Sequence, residues 1–131
     1  MIPRIDKGTI EYTLRIGKSF HKETSRPCLR FLFETVEEFN YFHYLITIEH
    51  RQSEHEIQFK ILGLSPKGIT LPGNDRAKYS IDFFDLKGDY KIKVYKPGDT
   101  LNEFQIKISP NGNRLLREIK HKNPFLSVTI I

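Results

Sequence analysis

Leu86-Lys87-Gly88-Asp89-Tyr90-Lys91-Ile92-Lys93-Val94-Tyr95-Lys96-Pro97-Gly98-Asp99-Thr100-Leu101-Asn102-Glu103-Phe104-Gln105-Ile106-Lys107-Ile108-Ser109 is the stretch whose reading decides the fold. After a corner at Leu86 to Tyr90, Tyr90, Ile92 and Val94 alternate with Lys91, Lys93 and Tyr95. A break at Lys96-Pro97-Gly98-Asp99 is followed by Phe104, Ile106 and Ile108 alternating with Gln105 and Lys107. Period-two alternation gives each run one apolar and one polar face, the pattern of two antiparallel strands packed on a core from one side. A register setting Val94 opposite Phe104, Ile92 opposite Ile106 and Tyr90 opposite Ile108 buries all of these together.

The rest of the chain fits an all-β domain. At 131 residues it has the length of one domain, residues 1–131, able to build its own core. Ten Phe and six Tyr against a single Ala, the best helix former, favour strands over helices. The lone Cys28 leaves no internal disulfide, the N-terminus carries no apolar segment of signal-peptide length, and no run approaches a membrane span. The expectation is a cytoplasmic protein without a membrane association. A formal charge of +5 helps solubility and is too small to diagnose a polyanion partner.

Outward from the central hairpin, Thr9 to Ile16 alternates as a first strand, closed by Gly17-Lys18-Ser19 and a loop from His21 to Pro27. Cys28 to Glu34 reads as a second strand with Leu29, Phe31 and Phe33 inward. Thr35-Val36-Glu37-Glu38 fits a capping box, so a one-turn helix or a plain loop is expected there. Tyr41 to Glu49 and Glu56 to Leu64 form another hairpin, with Ile48 facing Ile57, Ile46 facing Phe59, Tyr44 facing Ile61 and His50 facing His55. Its other face carries His43, Leu45 and Leu62 and offers a surface to a partner. Ser65 to Lys78, punctuated by proline and glycine, is expected to be irregular, and Tyr79, Ile81 and Phe83 mark the next strand. Asn111-Gly112 is expected to turn the chain into a strand or short helix over Arg114 to Lys120, and Phe125 to Ile131 closes it as a last strand.

Gly88 two residues before Tyr90, at a strand entry, resembles the tyrosine corner of immunoglobulin-like and fibronectin-type sandwiches. The resemblance covers about a dozen residues and bears on architecture alone. The predicted fold is therefore an antiparallel β-sandwich of about seven to nine strands with an immunoglobulin-like arrangement. An up-and-down β-barrel around an apolar ligand cavity is its rival.

Few residues gather in a pattern that carries chemistry. His50 and His55, with Glu49, Glu54 and Glu56 nearby, could share a metal ion across a hairpin, although a zinc centre needs three or four protein ligands. Cys28 has no base brought beside it by sequence. Gly63 to Gly68 has phosphate-loop glycine spacing, but Ile69 stands where the phosphate-binding Lys belongs, and Ser65 misses the nucleophile elbow by one position. Asp82, Asp85 and Asp89 lack the calcium-loop spacing.

Lys91, Lys93, Tyr95 and Lys107, extended by Arg114, Arg117, Lys120, His121 and Lys122, form a face that could bind single-stranded nucleic acid. No residue set calls for a cofactor. The sequence favours a non-enzymatic binding or assembly module with a protein partner, acting through loops at one end or the His43, Leu45 and Leu62 face. A small barrel holding an apolar molecule, the nucleic-acid face and a metal-dependent enzyme at His50 and His55 follow as alternatives.

Overall fold

The structure is a computed structural model that describes residues 10–118 and 123–131, by their backbone at 40–42, 67–74 and 118. Seven strands follow one another: β1 (Tyr12–His21), β2 (Arg26–Gln52), β3 (Glu56–Phe83), β4 (Gly88–Lys96), β5 (Thr100–Ile108), β6 (Arg114–Glu118) and β7 (Leu126–Ile130). Strands make up most of the described residues and no helix occurs among them, so the all-β expectation holds. The arrangement differs from the antiparallel immunoglobulin-like sandwich. One mixed sheet runs β6-β5-β4-β3-β2-β1-β7 and curls until it is nearly closed, like a barrel. The β1–β7 and β3–β4 pairings are parallel, which an up-and-down barrel does not allow either.

The long hairpin of β2 and β3 organises this closure. Its 27- and 28-residue strands would each extend about 90 Å at about 3.3 Å per residue, whereas the ten residues of β1 span about 33 Å. The ribbon therefore doubles back. Its first half, where Leu29 to Glu34 pairs with Phe83 to Lys78, lies beside β1; its tip half, Ile48 to Gln52 against Ile61 to Ile57, lies beside β4. Counting each bent strand twice gives the nine segments of the barrel wall.

Register shifts cluster between Glu34 and Ile48, where bulges add twist and bend. Gly63, opposite Thr47 at one of these shifts, has φ 144°, a conformation that side chains rarely accept. The folded halves meet through aromatic rings: Phe59 lies 5.6 Å from Phe31, 5.0 Å from Phe33 and 6.2 Å from Phe83, centroid to centroid. Such edge and tilted contacts fill the interior between the halves.

Several local expectations change for identifiable reasons. Thr35 does not cap a helix, because its hydroxyl accepts the Ala77 amide at 2.9 Å and donates to the Glu37 carbonyl at 2.8 Å, holding the two strands together at the bend. Ser65 to Lys78 is strand, paired along β2, and β1 runs past Gly17 to His21. Ile92 faces Phe104 and Val94 faces Asn102, because the turn takes only Pro97, Gly98 and Asp99.

Similarly, Ile48 faces Ile61 and His50 faces Phe59, four residues from the expected pairing, because β2 continues to Gln52. Both slips are even, so each apolar residue keeps its face. Pro110 and Asn111 are the central turn residues, closed by the Gly112 amide on the Ser109 carbonyl at 3.1 Å, and Arg114 to Glu118 is strand. β7 binds the C-terminus into the sheet beside β1. There Ile131 packs so closely on Gly17 that a Cβ at 17 would stand 2.6 Å from its side chain.

Candidate ligand site at the barrel mouth

Doubling the hairpin brings its base and its tip to the same end of the barrel. The ends of β1, β3 and β5 and the starts of β2 and β4 gather there, around the tip at residues 53–55. Within this end lies a cavity of about 590 Å³, inside the range of small-molecule sites and at the place where barrels commonly hold them.

The floor is the last layer of the core. Lys18 pairs with Leu29 and Leu29 with Phe83, so these three form one row across β1, β2 and β3, and Ile108 lines the cavity from β5. Leu29, Phe83 and Ile108 are 6–8% exposed, whereas Ile16, Phe31 and Ile106 one layer deeper are at 0%. Pro27, Leu86 and Pro110 add apolar walls.

The rim is polar and cationic. Lys18 follows Leu14 and Ile16 in the inward phase of β1, and at the barrel's edge its stem extends the apolar row while its ammonium reaches solvent. Arg26 binds Asp85 at 2.7 Å and stacks over Phe84 at 4.4 Å, which fixes the β3–β4 connection where Asp85 adopts φ 60°. Lys87 and Asn113 complete the rim. The Asn113 Oδ1 is buried and lacks a hydrogen-bond partner, on a residue that lines the cavity.

Below the rim, Arg30 grips Asp82 with two hydrogen bonds, at 2.7 and 2.9 Å. These bonds hold the Asp82 carboxyl below its ordinary range. Burial, followed by the Asp82 charge, pushes the Cys28 thiol up, so it stays protonated at neutral pH and is poorly suited to nucleophilic attack.

The structure places the residues singled out from sequence as follows. His50 packs its ring 5.9 Å from Phe83, while His55 is exposed at the tip beside Glu54 and lies 6.1 Å from Tyr90; the two do not face each other. Among the described residues no three His, Cys, Asp or Glu converge as a metal set. Ser65 Oγ is hydrogen-bonded to Thr47 Oγ1 at 2.6 Å.

On the expected basic face, Lys91 pairs with Glu103 at 3.5 Å and Lys93 with Glu56 at 3.6 Å, which spends much of its positive field locally. Hydrogen bonding from Gln58, then the charges of Lys93 and Lys91, lowers the Glu56 pKa. Tyr95 lines an outer groove with Arg51 and Lys60, balanced by Glu49 and Asp99, and Lys107 lines a separate hollow with His55. Arg114 and Arg117 lie on β6 opposite Lys107 and Gln105, whereas Lys120, His121 and Lys122 fall outside the described residues. Leu45 and Leu62 are exposed near the bend, and His43 bonds the Asp75 carboxylate, which lowers the Asp75 pKa.

Sequence reasoning missed the mouth itself. One local sign of it existed: Lys18 interrupts an inward apolar run in phase, where a core position would be expected. Asn113 carried no such sign, because only the closing of the barrel brings the β5–β6 turn over Leu29 and Phe83. No helix among the described residues is long and apolar enough to cross a membrane. No protein-family model, no curated protein and no solved structure matches this chain.

Proposed function

We propose that this chain is a non-enzymatic binding module that holds a small, mostly apolar molecule in the mouth of the barrel. The observation that carries the reading is the cavity over the last core layer, Leu29, Phe83 and Ile108, with a polar rim that includes Asn113 and its unpartnered oxygen. A concave apolar floor with a few convergent polar groups is the usual form of a small-molecule site. The sequence's first expectation, binding through loops at one end, is kept, and the ligand changes from a protein to a small molecule.

Titration of labelled protein with decanol, a neutral apolar probe, tests this directly. Saturable amide shifts confined to residues 17–29, 83–88 and 108–113, with a rise in melting temperature, are expected. Shifts scattered over the surface would remove the mouth as a binding site, as would an absence of shifts with decanol and with its charged analogues alike.

A protein partner is the second reading, supported by the 45% exposure of both Leu45 and Leu62 beside the exposed Val36 and Leu64 near the bend. Its simplest form is a second copy of the chain. Sedimentation at high concentration should then show self-association that L45K/L62K abolishes, and a monomer at every concentration counts against it.

A further inference from the structure

We infer that the mouth selects an amphipathic carboxylate: an apolar stem carrying an anionic group and, beside it, a hydrogen-bond donor. The inference rests on the mouth reading above and specifies what that site prefers. Three features of the same cavity define three parts of the ligand. The floor of Leu29, Phe83 and Ile108 takes the stem.

The rim takes the anion. Lys18, Arg26 and Lys87 line the cavity against the single carboxylate of Asp85, and Arg26 already holds that carboxylate at 2.7 Å. Lys18 and Lys87 face no carboxylate partner among the described residues. They contrast with Lys91, Lys93 and Lys96 on the barrel wall, each of which has one. Both lysines are solvent-exposed at the rim, and their unpaired charges add to the field that an anion at the mouth would meet.

Asn113 takes the donor. Its Oδ1 is buried without a partner, and a carboxylate, which only accepts at neutral pH, cannot satisfy it. A hydroxyl or amide N–H next to the acid group can, once the Asn113 side chain turns its oxygen into the cavity. N-acyl amino acids and hydroxylated aromatic or aliphatic acids are the chemical classes that combine all three parts.

The experiment compares four probes on the intact protein by calorimetry and amide shifts: N-decanoylglycine, its methyl ester, decanoate and decanol. N-decanoylglycine should bind tightest. The ester, which keeps stem and donor but loses the charge, should bind at least tenfold more weakly, with less sensitivity to salt. K18Q/K87Q, two exposed substitutions, should weaken the acids severalfold and leave the ester unchanged.

N113A should weaken N-decanoylglycine severalfold and leave decanoate unchanged, since only the former offers an N–H. Equal affinity of acid and ester at the mouth overturns the anion preference while the binding reading stands. Equal affinity of N-decanoylglycine and decanoate overturns the role given to Asn113. Failure of all four probes to shift the mouth residues overturns both this inference and the reading beneath it.

Discussion

The two ends of the barrel each use an asparagine, and the contrast between them shows how this fold separates structure from site. At the end opposite the mouth, Asn102 is 5% exposed and fully engaged. Its Oδ1 accepts the amides of Phe125 at 2.9 Å and Leu126 at 3.1 Å, and its Nδ2 donates to the carbonyls of Leu101 at 3.0 Å and Asn123 at 3.2 Å. Phe125 seals that end against Tyr12, ring edge to ring face at 6.4 Å. At the mouth, Asn113 buries the same oxygen with nothing to bond it, on a residue that lines a cavity floored by Leu29, Phe83 and Ile108. A buried amide that ties two strands to a closing segment is a structural rivet; Asn113, with its oxygen unbonded, ties nothing.

The strongest test of this contrast is Asn102→Ala. It leaves two buried backbone N–H groups without an acceptor at once, so a loss of about 3 kcal/mol is expected in urea unfolding. A loss under about 1 kcal/mol would mean that water replaces the side chain and that this end is not sealed.

A smaller effect is expected at the mouth from Asp82→Asn, about 1 kcal/mol at neutral pH, since Arg30 is 40% exposed and solvent screens the pair. The Arg30 hydrogen bonds depress the Asp82 pKa from its ordinary value of 3.8. The carboxylate therefore contributes its full stabilisation above that value and loses it as the pH falls through it towards the lower folded value. The difference between wild type and D82N should narrow from pH 7 to pH 3, and a difference that widens in acid would contradict the assignment.

The smallest effect on stability belongs to Asn113→Ala. With no hydrogen bond to lose, it should unfold within about 0.5 kcal/mol of the wild type. A cost comparable to that of Asn102→Ala would show that Asn113 is a second rivet and would erase the distinction between the two ends.

Much of the wall was legible in the chain. The alternation at Leu14 and Ile16, at Phe31 and Phe33, at Ile57, Phe59 and Ile61, and at Ile92, Phe104 and Ile106 identified the inward face of each strand, and all of these are buried. That reading survived registers wrong by two and four residues, because side-chain direction repeats every two residues. Thr35 misled because its local pattern suits a helix start, while the amide that claims its hydroxyl belongs to Ala77, 42 positions away. The proline- and glycine-rich run from Ser65 misled likewise: its turn residues sit on a bent strand whose partner supplies the order that the sequence lacks.

The inward faces of the alternating runs and the all-β class were thus determined by the sequence, since each depends on neighbours two residues apart along one chain. The doubling of the long hairpin, the parallel pairings of β1 with β7 and β3 with β4, and the meeting of Lys18, Phe83 and Asn113 around one cavity were decided only in the tertiary structure. Those features join segments tens of residues apart, and their geometry depends on where bulges bend the ribbon and how the folded halves share Phe31, Phe33, Phe59 and Phe83. No local pattern encodes that packing, because its energy exists only once both halves are in place.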